Sequence, residues 1–243
     1  ANLGASFSST DCDVAIGAWR LWREMRGPRE ILRLRMQSAS FSYDFTLTPS
    51  QPPMLQGDDG YSRKGAAPEL ASYYVSWPRL RVDGLLLRDG RRQAVAGQAW
   101  FDHEWSTAIL GDRAVGWDWL GINLTDGGAL MVFRLRDAQG ATLYAHAAWR
   151  DATGRRRRFD SAEIRFTPLR RWASPRSGAS YPLELEIHLA DLTVRTRPVI
   201  DDQELVTSRP APVVYWEGLV KLSGGLEGRG YLELTGYADT LRL

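Results

Sequence analysis

The sequence predicts an all-β protein of antiparallel strands, on three observations. Apolar and polar residues alternate with period 2, turn-forming dipeptides recur between the alternating runs, and helical periodicity is confined to one short stretch. Leu32, Leu34 and Met36 alternate with Arg33 and Arg35. Phe41, Tyr43, Phe45 and Leu47 alternate with Ser42, Asp44 and Thr46, and Leu183, Leu185, Ile187 and Leu189 with Glu184, Glu186 and His188. Each run turns one apolar face to a core, because successive side chains of a strand point to opposite sides. Further strands are expected over 71–77, 79–87, 92–105, 113–124, 129–136, 141–149, 161–167, 192–199, 213–223 and 229–237. Between them Asp89-Gly90, Asp126-Gly127, Gln139-Gly140, Ser177-Gly178 and Gly224-Gly225 supply turn residues. Hairpins spaced in this way indicate an antiparallel barrel or sandwich. In 13–25, Ala15, Ala18, Trp19, Trp22 and Met25 fall at helical spacing, and the stretch reads as the one helix or as two short strands.

A boundary is expected within 48–70, where Pro49, Pro52, Pro53, Gly57, Gly60 and Gly65 cluster and periodicity is lost. Upstream there is room for three or four strands, too few to close a barrel. Those strands either complete the downstream sheet or form half of a domain. The expected division is a first β-domain segment over 1–50, a connecting loop over 51–70 and a second β-domain over 71–243.

Composition excludes several classes. The 243 residues are 44% hydrophobic and 25% charged, ordinary for a globular chain, and the net charge of +2 nominates no polyanionic partner. Only Lys64 and Lys221 are lysines among 31 basic residues. The run Arg155–Arg158 follows Thr153-Gly154 and reads as a solvated hairpin end, not a nucleic-acid patch, which needs a wider basic surface with aromatics interleaved. The single Cys12 excludes an internal disulfide framework and a multi-cysteine zinc site. No apolar run approaches the roughly 20 residues of a membrane helix. His103, His146 and His188 have no ligand spacing, and no nucleotide, dinucleotide or nucleophile-elbow fingerprint occurs. No metal and no organic cofactor are therefore expected.

Ten tryptophans are the unusual feature, and four of them (Trp100, Trp105, Trp117, Trp119) stand within Ala99–Leu120 beside Asp102, His103, Glu104 and Asp118. On a strand, Asp102 and Glu104 share a face with Trp100, while His103 and Trp105 share the other; Trp117 and Trp119 point together, opposite Asp118. Tyr215 and Glu217 flank Trp216 and point together, and Tyr231, Glu233, Thr235 and Tyr237 share a face. Three separated strands thus each place a carboxylate among aromatic rings. A carboxyl group in such a wall is protonated near neutrality through desolvation and can act as a general acid, while ring faces stabilise a developing cation. Spacing alone also fits a structural network in which the acids hold indole N–H and guanidinium groups.

Several motifs carry a resemblance. Leu55-Gln-Gly-Asp-Asp-Gly-Tyr-Ser-Arg-Lys-Gly65, Ala71-Ser-Tyr-Tyr74, Pro78-Arg-Leu80 and Val95-Ala-Gly-Gln-Ala-Trp-Phe-Asp-His-Glu-Trp-Ser106 resemble the lipocalin-like superfamily of carotenoid 1,2-hydratase. So do Gly116-Trp-Asp-Trp119, Leu130–Arg136, Tyr215-Trp-Glu-Gly218 and Gly230–Tyr237, and the most similar branch is the bacterial AttH type. The resemblance runs from about residue 40 to the C-terminus. It implies two packed lipocalin-like β-domains with a ligand cavity at or near their junction. Residues 1–50 then correspond to the second half of an incomplete first domain, with either a companion segment before Ala1 or a natural short form of the chain as the two alternatives. It also implies a periplasmic or secreted protein, with the cytoplasm as the alternative. It places no proton donor with certainty, since the strand Leu130–Arg136 has no acid before Asp137.

The expected function is an enzyme on an isoprenoid- or polyketide-like hydrophobic molecule, a cofactor-independent hydro-lyase adding water to a C=C bond or guiding a cyclisation. Asp102, His103, Glu104, Asp118 and Glu217 are the catalytic candidates. Trp100, Trp105, Trp117, Trp119, Tyr215, Trp216, Tyr231, Glu233 and Tyr237 are the lining candidates. A non-catalytic carrier or cell-envelope accessory protein for an apolar ligand is the alternative.

Overall fold

The structure is a computed structural model that describes residues 4–207 and 213–241. It is all-β and lipocalin-like, with two curled antiparallel sheets and, among the described residues, one 3-10 turn and no α-helix. The strands of the first sheet are β1 (Ala5–Phe7), β2 (Asp13–Ile16), β3 (Trp19–Arg26), β4 (Arg29–Gln37), β5 (Phe41–Thr48), β6 (Met54–Leu55), β7 (Tyr61–Arg63), β8 (Ala71–Arg88) and β9 (Arg91–Ala108). Those of the second are β10 (Gly116–Leu124), β11 (Ala129–Arg136), β12 (Thr142–Arg150), β13 (Arg156–Phe159), β14 (Ile164–Ala173), β15 (Ser180–Leu189), β16 (Leu192–Pro198), β17 (Glu204–Thr207), β18 (Val213–Gly224) and β19 (Gly228–Leu234). No helix here is long and apolar enough to cross a membrane.

The chain forms two compact units, Ala1–Pro53 with Trp77–Phe101, and Met54–Ser76 with Asp102–Leu243. The division cuts through β8 and β9, so Trp77–Phe101 packs with the N-terminal strands and Met54–Ser76 with the C-terminal ones.

In the first unit, β1 to β5 and β8 are successive antiparallel neighbours, so residues up to 48 make five strands where room for three or four was expected. The stretch 13–25 is two strands, not a helix. Ile16 pairs with Trp19 across the two-residue turn Gly17-Ala18, and Gly17 takes φ +59°, a left-handed conformation that breaks a helix and closes a hairpin. Leu32, Leu47, Leu80 and Val82 form the buried core of this unit, with Leu34, Phe45, Trp77 and Phe101 packed on it. The expected strands 71–77 and 79–87 are one strand, β8, bent at Arg79, whose φ is +56°.

In the second unit the sheet runs β13-β12-β11-β10-β19-β18-β16-β15-β14, with β17 also paired to β18. The turn signals hold: Gly127, Gly140, Gly178 and Gly224 all have positive φ. One face of the sheet is largely apolar, apart from the buried Asp118, Arg134 and Arg136 at one end. Leu120, Ile122, Leu130, Val132, Leu183, Leu185, Trp216, Val220, Leu232 and Leu234 are buried there in one cluster. Close pairing of β19 with β10 requires glycine at Gly230, where a Cβ would run into the Gly121 carbonyl oxygen. Gly230→Ala is expected to cost roughly 1–3 kcal/mol through forced strand separation, seen as a lower urea midpoint with unchanged far-UV circular dichroism.

The expected strand 161–167 starts later, at Ile164, because Ser161–Glu163 forms a 3-10 turn after Asp160. The expected strand 229–237 stops at Leu234, because Gly236 takes φ +69° and redirects the chain.

Candidate functional site

The face of the second sheet opposite its core carries the polar and aromatic residues. Register sets them in a row across five strands: Glu217 on β18 pairs with Glu233 on β19, Glu233 with Trp119 on β10, Trp119 with Phe133 on β11, and Phe133 with His146 on β12. Directly opposed residues on one face of a sheet hold their Cβ atoms roughly 5 Å apart, so the row sets these side chains side by side. A parallel row places Trp117 beside Leu135 and Leu135 beside Tyr144.

The aperiodic segment after residue 53 adds to this cluster. Within Met54–Lys64 the alternate residues Met54, Gln56, Ser62 and Lys64 are buried, and β6 and β7 pair with the first half of β8. Lys64 is only 5% exposed. Its Nζ lies 2.7 Å from a Glu104 carboxylate oxygen, donates to Ser62 Oγ at 3.2 Å, and stands 4.1 Å from the centre of the Phe133 ring. Burial lowers its pKa against the opposing pull of Glu104 and Asp102. Glu104 also accepts from Ser72 Oγ at 2.5 Å. The Tyr74 hydroxyl accepts the indole N–H of Trp119 at 2.8 Å and donates to Asp102 at 2.9 Å. Desolvation keeps that phenol protonated, with a pKa raised well above its ordinary value.

Glu233 is the group on which these elements converge. Desolvation raises its pKa to about 7, an indole N–H of Trp117 offsets part of that, and the charges of Glu217, Asp102 and Glu104 push it further up. Glu217 is raised too, by burial, and the Tyr215 phenol is raised by burial and by both glutamates. His146, 6% exposed, is pushed down to about 4, first by burial and then by the Lys64 charge, and is neutral at pH 7. Its Nε2 is buried with no hydrogen-bond partner among the described residues. Among the described residues no three His, Cys, Asp or Glu side chains are grouped as a metal site would need.

The expected site residues fall into three groups. Asp102, Glu104, Glu217, Glu233, Trp117, Trp119 and Tyr215 come together as described, and Tyr231 lies on the same face, 49% exposed. His103 and Trp105 alternate with Asp102 and Glu104 along β9: their rings stand 4.7 Å apart, and Trp105, 52% exposed, stacks on Tyr73. Trp100 belongs to the first unit.

Asp118, Trp216 and Tyr237 lie on the other face. Asp118 is fully buried and accepts from Arg134 Nε at 2.7 Å, Arg136 Nε at 2.9 Å and the Tyr237 hydroxyl at 2.9 Å. Tyr237 does not share a face with Glu233, because β19 has ended and the Gly236 turn carries its ring over to Arg136. Trp216 is fully buried in the core, its indole N–H donating to the Asp201 carbonyl at 2.7 Å, because it alternates with Tyr215 and Glu217.

Sequence reasoning passed over Lys64, Tyr74, Phe133 and His146. One signal was present for Lys64: it is a lysine in a chain whose basic residues are otherwise almost all arginine. The others stand on ordinary strand positions and carry none.

A family model described as AttH-like matches residues 2–237. The AttH of Nitrosomonas europaea, a crystal structure at 43% identity, superposes with a TM-score of 0.89 over 95% of this chain and 72% of that one. Kievitone hydratase from Nectria haematococca matches at 20% identity and TM-score 0.75, covering 96% of this chain and 73% of that one. CghA with Sch210972 matches at 16% identity and TM-score 0.57, covering 96% and 74%. The last two share the fold. No curated protein is a significant match.

Proposed function

We propose that this chain, which belongs to the AttH-like family, is a cofactor-independent enzyme that adds water across a C=C bond, or guides a cyclisation, of a hydrophobic small molecule. The carrying observation is Glu233, an acid with a pKa of about 7 seated between Trp117, Trp119 and three further carboxylates. At neutral pH about half of it is protonated, the condition under which a general acid is most effective. In hydration, Glu233 delivers its proton to one alkene carbon. The cation left on the other carbon lies against indole faces, which favour positive charge. A water oxygen then bonds to that carbon and its spare proton passes to Glu217, directly across the sheet. The product has gained one water, and proton return from Glu217 to Glu233 restores the site. For cyclisation a second alkene of the same molecule replaces water as the nucleophile, and the cation left on the new ring loses a proton to Glu217, so the product is an isomer of the substrate.

Asp102, Glu104, Lys64 and Tyr74 are positioning residues in this reading. The two carboxylates are held by a lysine, a serine and a phenol, and their charges keep the Glu233 proton in place. His103, a catalytic candidate by sequence, takes no step in this reading. Kievitone hydratase, named for a hydration, shares this fold and supports the hydratase reading.

The test is to incubate the purified chain with isoprenoid and polyketide alkenes in oxygen-18 water and follow products by mass spectrometry. A product heavier by one labelled water shows hydration, and an isomer of unchanged mass shows cyclisation. A ligand recovered unaltered after saturable binding would establish the carrier instead.

A further inference from the structure

The second unit holds a pocket of about 540 Å³ on the core side of its sheet, away from Glu233. It is walled by the end of β11, by β14 and by the chain after β19, within the volume range of small-molecule sites, roughly 300–1,000 Å³. Its walls hold three guanidiniums, Arg134, Arg136 and Arg171, and two rings, Phe166 and Tyr237. Arg134 lies 4.6 Å above the Phe166 ring, and Arg136 lies 3.8 Å and Arg171 5.8 Å from that of Tyr237.

The charges in this pocket do not balance. Asp118 beneath it answers two buried arginines with a single carboxylate, and the third, Arg171, bonds to Ser180 and, among the described residues, to no carboxylate. Asp239, on the rim, is exposed to water. Arg134 and Arg136 each spend Nε on Asp118; one further nitrogen of Arg134 reaches Thr142 Oγ1, and one of Arg136 the Thr235 carbonyl. Neither residue has a nitrogen that is both buried and unpartnered, so their remaining N–H groups open on the space they line. Planar N–H forks against aromatic walls match a carboxylate on an apolar body.

We propose that this pocket binds a small organic carboxylate with an apolar or aromatic body, its oxygens held by Arg134, Arg136 and Arg171 and its body against Phe166 and Tyr237. The site is separate from the Glu233 cluster, since the two lie on opposite faces of the same sheet.

Calorimetric titration of the whole chain with phenylacetate, phenylacetamide and inorganic phosphate tests it. Phenylacetate should bind at one equivalent, and the neutral isostere roughly tenfold or more weakly, for loss of charge-assisted hydrogen bonds. Arg171→Gln alters an exposed side chain, should fold normally and should weaken phenylacetate several-fold. Ala138→Trp, at the exposed mouth, should block it. Equal binding of the amide, phosphate binding as tightly as phenylacetate, affinity unmoved by both variants, or no heat at millimolar ligand would each overturn the proposal.

Discussion

Replacing Asp118 with Ala is expected to cost roughly 3–5 kcal/mol of stability, because it leaves two buried guanidiniums without their counter-ion. Asp118 is 0% exposed, and the side chains of Arg134 and Arg136 are 7% and 4% exposed, so both guanidiniums rely on it at the Nε side facing away from the pocket. The Tyr237 hydroxyl loses its acceptor in the same step. For a chain of this size the loss corresponds to a fall of about 10 °C in melting temperature, read by calorimetry. Combining Asp118→Ala with Arg134→Met and Arg136→Leu should restore much of it, since removing a whole buried ion cluster is far milder than breaking one. A single variant that melts with the wild type would show that the arginines find other partners.

Glu233→Gln is expected to lower turnover by roughly 10²–10⁴-fold, the usual contribution of a general acid, with the fold intact. The same substitution has a signature in stability that needs no substrate. The folded pKa of Glu233, about 7, stands above the ordinary 4.5, so between those values the folded state binds more protons than the unfolded one. Stability therefore falls as pH rises from 4.5 to 7, by about 3 kcal/mol for this group at 1.36 kcal/mol per unit. The wild type minus Glu233→Gln difference in unfolding free energy, measured by urea titration across pH 4–8, should follow that fall. A flat difference would remove the basis for Glu233 as the proton donor. Activity should decline above pH 7 as the acid form is lost.

The behaviour of these two acids shows what a strand sequence discloses. Period 2 placed Asp118 opposite Trp117 and Trp119, and the fold keeps it there. The same rule places Tyr215 and Glu217 together, yet it puts Tyr237 with Glu233, because the strand ends at Leu234, three residues short, where Gly236 takes φ +69°. Trp216 is a lining candidate by its motif, yet alternation with Tyr215 and Glu217 puts it in the core.

By itself the sequence determined the all-β class, the hairpin turns, the face each strand residue occupies and the family. These depend on local chemistry: side-chain alternation and the left-handed backbone at glycine turns. Only the tertiary structure decided which faces meet. β19 inserts between β10 and β18, setting Glu233 between Trp119 and Glu217, and an aperiodic loop turns Lys64 inward onto Glu104 and Phe133. Strand order and register join residues more than a hundred positions apart, and no local pattern encodes that pairing. The pKa of Glu233 follows from it, since burial and the charges of distant carboxylates exist only once the sheet has formed.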